Sequence, residues 1–135
     1  MALYLADTSA WHRSEAAFDR WADLVAQGEL AICAPVALEL GYSARAARDF
    51  ASLMGLLRSL PTLPLDGQAS AEASAIQSNL VIRSQHRGPR PMDLLIAAIA
   101  HIHDAILLHY DRHFEAIGRV TGQPMEWLAR RGSLD

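Results

Sequence analysis

Apolar residues come along this chain in short runs separated by stretches of helical spacing, a rhythm that predicts alternating strands and helices. Residues 2–6 form a run of strand length, and 9–27 carries helical periodicity that stops before Gly28, a suitable C-cap. On a helical projection of about 100° per residue Trp11, Phe18 and Val25 line up, and Ala17, Trp21 and Leu24 widen the stripe to roughly 140°. One sheet contact needs less, so the stripe fits either a well-buried helix or a flank that receives a partner protein. Leu30–Ala34 predicts a second strand, Pro35 opens a helix that contains Glu39, and Phe50, Leu53, Met54, Leu57 and Leu60 mark another. The turn-rich segment 61–67 has room for a brief strand, and an Ala- and Ser-rich helix runs from 68 to about 86, where Gly88-Pro89-Arg90-Pro91 stops it. A helix over 92–104, a strand over 105–110, a helix over 113–120 and an edge strand near 125–127 complete the pattern. The order predicts an α/β fold: one domain over residues 1–135, with a mostly parallel central sheet of four to five strands flanked by helices on both faces.

Four acidic residues interrupt this apolar pattern where elements begin or end. Asp7 follows Leu3-Tyr4-Leu5-Ala6, Glu39 lies within Pro35–Gly41, Asp93 opens Leu94–Ala100, and Asp111 ends Ala105–Tyr110. Taking a carboxylate out of water is costly unless it is paired or bound to a metal. Each acid also has a plainer reading: a helix N-cap for Asp7, a solvated helix face for Glu39, a first-turn carboxylate for Asp93, a turn residue for Asp111. The joint pattern is more informative than any member, because in an open α/β sheet strand ends and helix starts share one edge, where ligands bind. An acidic pocket there suits hard cations with oxygen ligands, Mg²⁺ or Mn²⁺. Such ions activate a water and stabilise the leaving oxygen in phosphodiester hydrolysis, and they reverse the local charge that repels a phosphodiester.

Composition narrows the chemistry. With 51% hydrophobic and 20% charged residues, the 135-residue chain has enough apolar material for a proper core. The net charge of −3 argues against holding nucleic acid by bulk charge, which leaves a local basic patch. All twelve basic residues are arginine, so a Walker-A phosphate loop and Schiff-base catalysis are excluded. Cys33, the sole cysteine, lies in an apolar run and reads as a small buried hydrophobe, in keeping with a reducing compartment. The N-terminal residues lack the basic start and long apolar core of a secretory signal, and the apolar stretch 94–108 is broken by His101, His103 and Asp104; a soluble, cytoplasmic protein is expected.

Arg83, His86, Arg87 and Arg90 precede Asp93 and form a local cluster that can meet a phosphate backbone beside the acids or stand as a solvated helix end and loop. Thr8 and Ser9 can hydrogen-bond a water or phosphate at the acids, or start the following helix. His101 and His103 are two apart on a predicted helix and point in different directions, which disfavours zinc ligation. His109 and His113 flank Asp111, within reach of the pocket mouth or in structural roles. The glycine-flanked serine of a nucleophile elbow is absent.

The acids in their settings resemble a PIN domain, and most of all the VapC-type ribonuclease toxins of bacterial toxin–antitoxin pairs. The residues that carry the resemblance are Leu5-Ala6-Asp7-Thr8-Ser9-Ala10, Pro35-Val36-Ala37-Leu38-Glu39-Leu40, Pro91-Met92-Asp93-Leu94-Leu95-Ile96-Ala97-Ala98 and Leu107-Leu108-His109-Tyr110-Asp111-Arg112-His113-Phe114. They occur in the family's order over nearly the whole chain. The resemblance implies a Mg²⁺- or Mn²⁺-dependent endoribonuclease that cleaves RNA with a metal-activated water, a homodimer, and a cognate VapB-type antitoxin whose C-terminal segment reaches the acidic pocket. It implies Asp7, Glu39, Asp93 and Asp111 as the metal-binding and catalytic quartet and Thr8 or Ser9 as an auxiliary hydroxyl; with RNA as the substrate, the local cluster offers Arg83, Arg87 and Arg90 as its contacts. Many members carry Asp-x-Asp-Phe at the last motif; here His113 holds the second position, which leaves the number of cations open. A phosphorelay receiver needs a lysine that is missing, a haloacid-dehalogenase-like phosphatase needs an Asp-x-Asp pair where Asp7 is followed by Thr8-Ser9, and a catalytically silent PIN-like binding module is the remaining alternative.

Overall fold

A computed structural model describes residues 2–135. In chain order the elements are β1 (Tyr4–Ala6), α1 (Thr8–Trp11), α2 (Phe18–Ala26), β2 (Leu30–Ala31), α3 (Ala34–Tyr42), α4 (Ala47–Arg58), α5 (Gly67–Ile82), α6 (Pro91–Ile102), β3 (Ile106–His109), α7 (His113–Thr121) and β4 (Met125–Trp127). The four strands pair in the order β2-β1-β3-β4, and every pairing is parallel. Leu107, Leu108 and His109 are buried in succession, so both faces of β3 are covered. α6 is packed between β3 and α5, and Ile96, Ala97, Ala98 and Ala100 are all sealed from solvent; the small alanines allow close packing around the helix.

This topology sets the position of the acids. From β1 the chain first goes to β2 on one side, and β3 takes the other side, so the strand order reverses between β1 and β3. A crevice opens at the carboxyl ends of strands at such a point. α6 leads back towards the start of β3, so its N-terminus lies at that same edge.

Three element boundaries differ from the sequence expectation. The helix expected over 9–27 is two helices, because residues 12–17 are wound by i→i+3 bonds such as Ser14 N–H to the Trp11 carbonyl (3.2 Å) and Ala16 N–H to the Arg13 carbonyl (3.1 Å). Tighter winding keeps an apolar residue every third or fourth position, so periodicity does not report the break. Trp11 turns into the core and packs edge-on against Trp21 at 4.8 Å, while Phe18 stays 67% exposed; the single broad stripe is thus divided between core and surface. The expected strand over 30–34 pairs only at Leu30 and Ala31, and Ile32 makes one parallel bridge to Thr62, which is all that forms of the brief strand in 61–67. α5 ends at Ile82, ahead of the predicted 86, where Ser84 takes a left-handed conformation (φ 56°) and Gln85 N–H closes on the Leu80 carbonyl at 2.8 Å.

Candidate active site

Asp7 is the residue after β1. Its Oδ1 accepts the Ala10 N–H at 3.1 Å and the Ser9 hydroxyl at 2.7 Å, so it caps α1. The Ser9 Oγ in turn accepts the Tyr110 N–H at 2.9 Å, which ties the end of β1 to the residue after β3. Thr8 donates to Glu39 Oε1 at 2.6 Å and fixes that carboxylate of α3 against α1. The two hydroxyls therefore hold acids in place. Asp93 sits in the first turn of α6 and its Oδ2 accepts the Arg90 N–H at 2.9 Å, with the Arg90 guanidinium 3.7 Å from Oδ1. Asp111 Oδ1 accepts the His113 N–H at 2.9 Å and lies 3.2 Å from His113 Nδ1.

Asp7 and Asp93 are almost free of water, at 3% and 2% exposure. Burial pushes Asp7 up to about 7, against the lowering by its Ser9 and Ala10 hydrogen bonds, and the charge of Asp93 adds to the rise. Burial also raises Asp93; Arg90 opposes this, and Asp111 and Glu39 both push it further up. Asp7, Glu39 and Asp111, from three separate segments, thus each lie within electrostatic reach of Asp93. Among the described residues no three His, Cys, Asp or Glu side chains stand close enough to form a metal cage. The chemistry of the donors nonetheless fits a hard divalent cation: Asp7 and Asp93 are oxygen ligands whose ionisation is opposed by burial and by neighbouring carboxylates, and a countercharge would favour it.

A cavity of about 560 Å³ opens beside Thr8, Ser9, Glu39 and Arg90. Leu38, at 68% exposure, and Tyr42, at 92%, present apolar surface on its α3 side. Of the three arginines expected to meet RNA, Arg90 stands at the acids; Arg83 and Arg87 are exposed and line neither cavity beside them. His113 lies against Asp111, but His109 is buried between Phe114 and Trp127 and does not reach the pocket mouth. Its Nδ1 accepts the Asp111 N–H at 3.2 Å, and burial lowers its pKa to about 4, so it is the neutral ring with the proton on Nε2. His101 pairs with Glu72 and His103 with Asp66, so both clip α6 to the start of α5. Cys33 is buried and its thiol is pushed up to about 11, as an inert hydrophobe. Sequence reading passed over Arg13 and Arg112; their signals were Arg13 one turn beyond Ser9 and Arg112 next to Asp111.

The PIN domain pattern matches residues 4–120. Among curated proteins, Ribonuclease VapC18 of Mycobacterium tuberculosis is 36% identical over 98% of this chain and 99% of its own length. Ribonuclease VapC51 of the same organism is 40% identical over 98% of this chain and 97% of its own. Among solved structures, the DNA-bound VapBC of Salmonella typhimurium matches with a TM-score of 0.78 at 23% identity, covering 96% of this chain and 100% of the matched one, a likeness of fold. The crevice at the β1/β3 reversal, its four acids and these matches agree, and the chain belongs to the PIN domain family, among the VapC-type ribonucleases.

Proposed function

We propose that this protein is a Mg²⁺- or Mn²⁺-dependent endoribonuclease, the toxin of a toxin–antitoxin pair, with Asp7, Glu39, Asp93 and Asp111 as its metal-binding and catalytic acids. The observation that supports this reading is the burial of Asp7, after β1, and Asp93, in the first turn of α6, with the charge of Asp93 felt at Asp7 and the charges of Asp111 and Glu39 felt at Asp93. A divalent ion bound there supplies positive charge and lowers the pKa of an attacking water. Asp7, Glu39, Asp93 and Asp111 would supply its carboxylate ligands. Ser9 and Thr8 keep Asp7 and Glu39 in one rotamer each, a fixing of ligand orientation that matters to affinity and rate. Arg90, 67% exposed beside Asp93, is placed to meet a phosphate of the RNA, and His113 orients Asp111.

The partners follow the same reading. The complexes named VapBC among the structural matches support a cognate VapB-type antitoxin, and the exposed Leu38 and Tyr42 beside the acidic cavity offer it apolar surface. The family likeness supports a homodimer as the working assembly. No described helix is long and apolar enough to cross a membrane.

Cleavage of single-stranded RNA by the purified protein with Mn²⁺, and its loss on chelation, is the direct test. Asp93→Asn is expected to lower the rate by at least about a hundredfold, because it removes a charge that holds the cation where negative charge develops. Equal cleavage by wild type and variant would point to a contaminating nuclease and remove the proposal.

A further inference from the structure

Beyond the acids, on the Asp111 side, lies a second cavity of about 360 Å³, lined by Arg13, Tyr110, Arg112, Trp127 and Arg131. Ser9 and Arg13 line both this cavity and the larger one beside Glu39, so the two meet at the residue that binds Asp7. The lining combines cations and aromatic surface. Arg13 lies over the Tyr110 ring at 4.7 Å and hydrogen-bonds the Ser9 carbonyl at 3.4 Å. Arg131 lies over the Trp127 ring at 5.7 Å and pairs with Glu115 at 3.0 Å. Among the described residues neither Arg13 nor Arg112 has a carboxylate within ion-pair distance; the acids in the cavity are Asp111, turned to His113, and Asp135. The tail that carries Arg131 is pinned by the Leu134 N–H, which donates to the Tyr110 hydroxyl at 2.8 Å.

We propose that this cavity binds the single-stranded RNA substrate one nucleotide away from the scissile bond, Arg13 and Arg112 taking a backbone phosphate and the Tyr110–Trp127 wall taking the sugar or base. The inference rests on the ribonuclease reading and deepens it. Among the described residues Arg13, free of carboxylates and stacked over Tyr110, with the unpaired Arg112 and the Trp127 ring in the same lining, makes the combination of cation and aromatic surface that tracks single-stranded nucleic acid without reading its sequence. The shared Ser9 and Arg13 make the path continuous: phosphate at Arg90, cleavage over the acids, the next phosphate at Arg13 and Arg112. A protein of net charge −3 needs such a local patch to hold RNA. This places the RNA contacts on both sides of the acids, whereas Arg83 and Arg87 line neither cavity.

The test measures Mn²⁺-dependent cleavage of a labelled single-stranded oligoribonucleotide at several salt concentrations. Arg112→Gln, whose guanidinium holds no hydrogen bond to another described residue, is expected to raise KM about tenfold with kcat within about twofold. Adding Arg13→Gln is expected to raise KM further and to flatten the salt dependence of log KM by about one unit of slope. Arg48→Gln and Arg58→Gln on α4, outside both cavities, are expected to match wild type. Wild-type KM and salt slope in the double variant overturn the inference and leave the ribonuclease intact. RNA left uncut by the wild-type protein overturns the ribonuclease reading, and the subsite with it.

Discussion

Asp7 carries opposing demands. Its folded pKa of about 7 lies above the ordinary 3.8, so the fold binds the proton more tightly than the unfolded chain does. The stabilisation is complete at pH below 3.8 and is lost as pH rises through about 7; Asp93 is shifted in the same sense. Asp7→Asn is therefore expected to raise the melting temperature of the metal-free protein at pH 8 by about 5 °C or more, while abolishing cleavage. His109 has the opposite sign: its pKa is lowered from 6.5 to about 4, so its contribution is present above 6.5 and lost as pH falls through 4. In wild type the two slopes oppose each other between these values. In an Asp7→Asn/Asp93→Asn double variant both opposing slopes are removed, and melting curves from pH 4 to 6.5 are expected to show stability that climbs with pH; a flat profile would assign His109 no such part.

At the level of elements, Ser9 is the fastening between α1 and the end of β3. Ser9→Ala removes the donor to Asp7 and the acceptor of the Tyr110 N–H together, so a stability loss of about 1–3 kcal/mol is expected, with cleavage reduced about tenfold or more. Denaturant unfolding and cleavage rates measure the two effects separately. Strands and helices were largely legible in the sequence because alternation of apolar runs is a local signal: β1, β3, β4, α3, α6 and α7 fall where it predicts them. The break between α1 and α2 was not, since helical and 3₁₀ winding leave similar apolar spacing, and beyond Ala31 the pairing passes to Thr62, a partner thirty residues away that no local pattern announces. Among candidate site residues, the acids stood out because a charge beside core segments is anomalous. The arginine–aromatic cavity did not, because Arg13, Arg112 and Arg131 look like ordinary surface residues until folding sets them around Tyr110 and Trp127.

For the whole molecule, a cation that neutralises the acids binds only the folded state and must stabilise it by mass action. At about a hundred times its dissociation constant the gain is roughly 2.7 kcal/mol, so Mn²⁺ is expected to raise the wild-type melting temperature at pH 8. Asp7→Asn and Asp93→Asn are expected to lose most of this response; an equal rise in all three proteins would place the ion elsewhere. The order of the sheet has a temporal corollary. Because β3 must slot in beside β1 before Asp111 can join Asp7, and β4 closes the edge only at Trp127, a nascent chain on the ribosome holds a fraction of the acids but no assembled centre. The proposed ligands are thereby united only by pairing of strands far apart in the chain, so cation binding and sheet closure become one event.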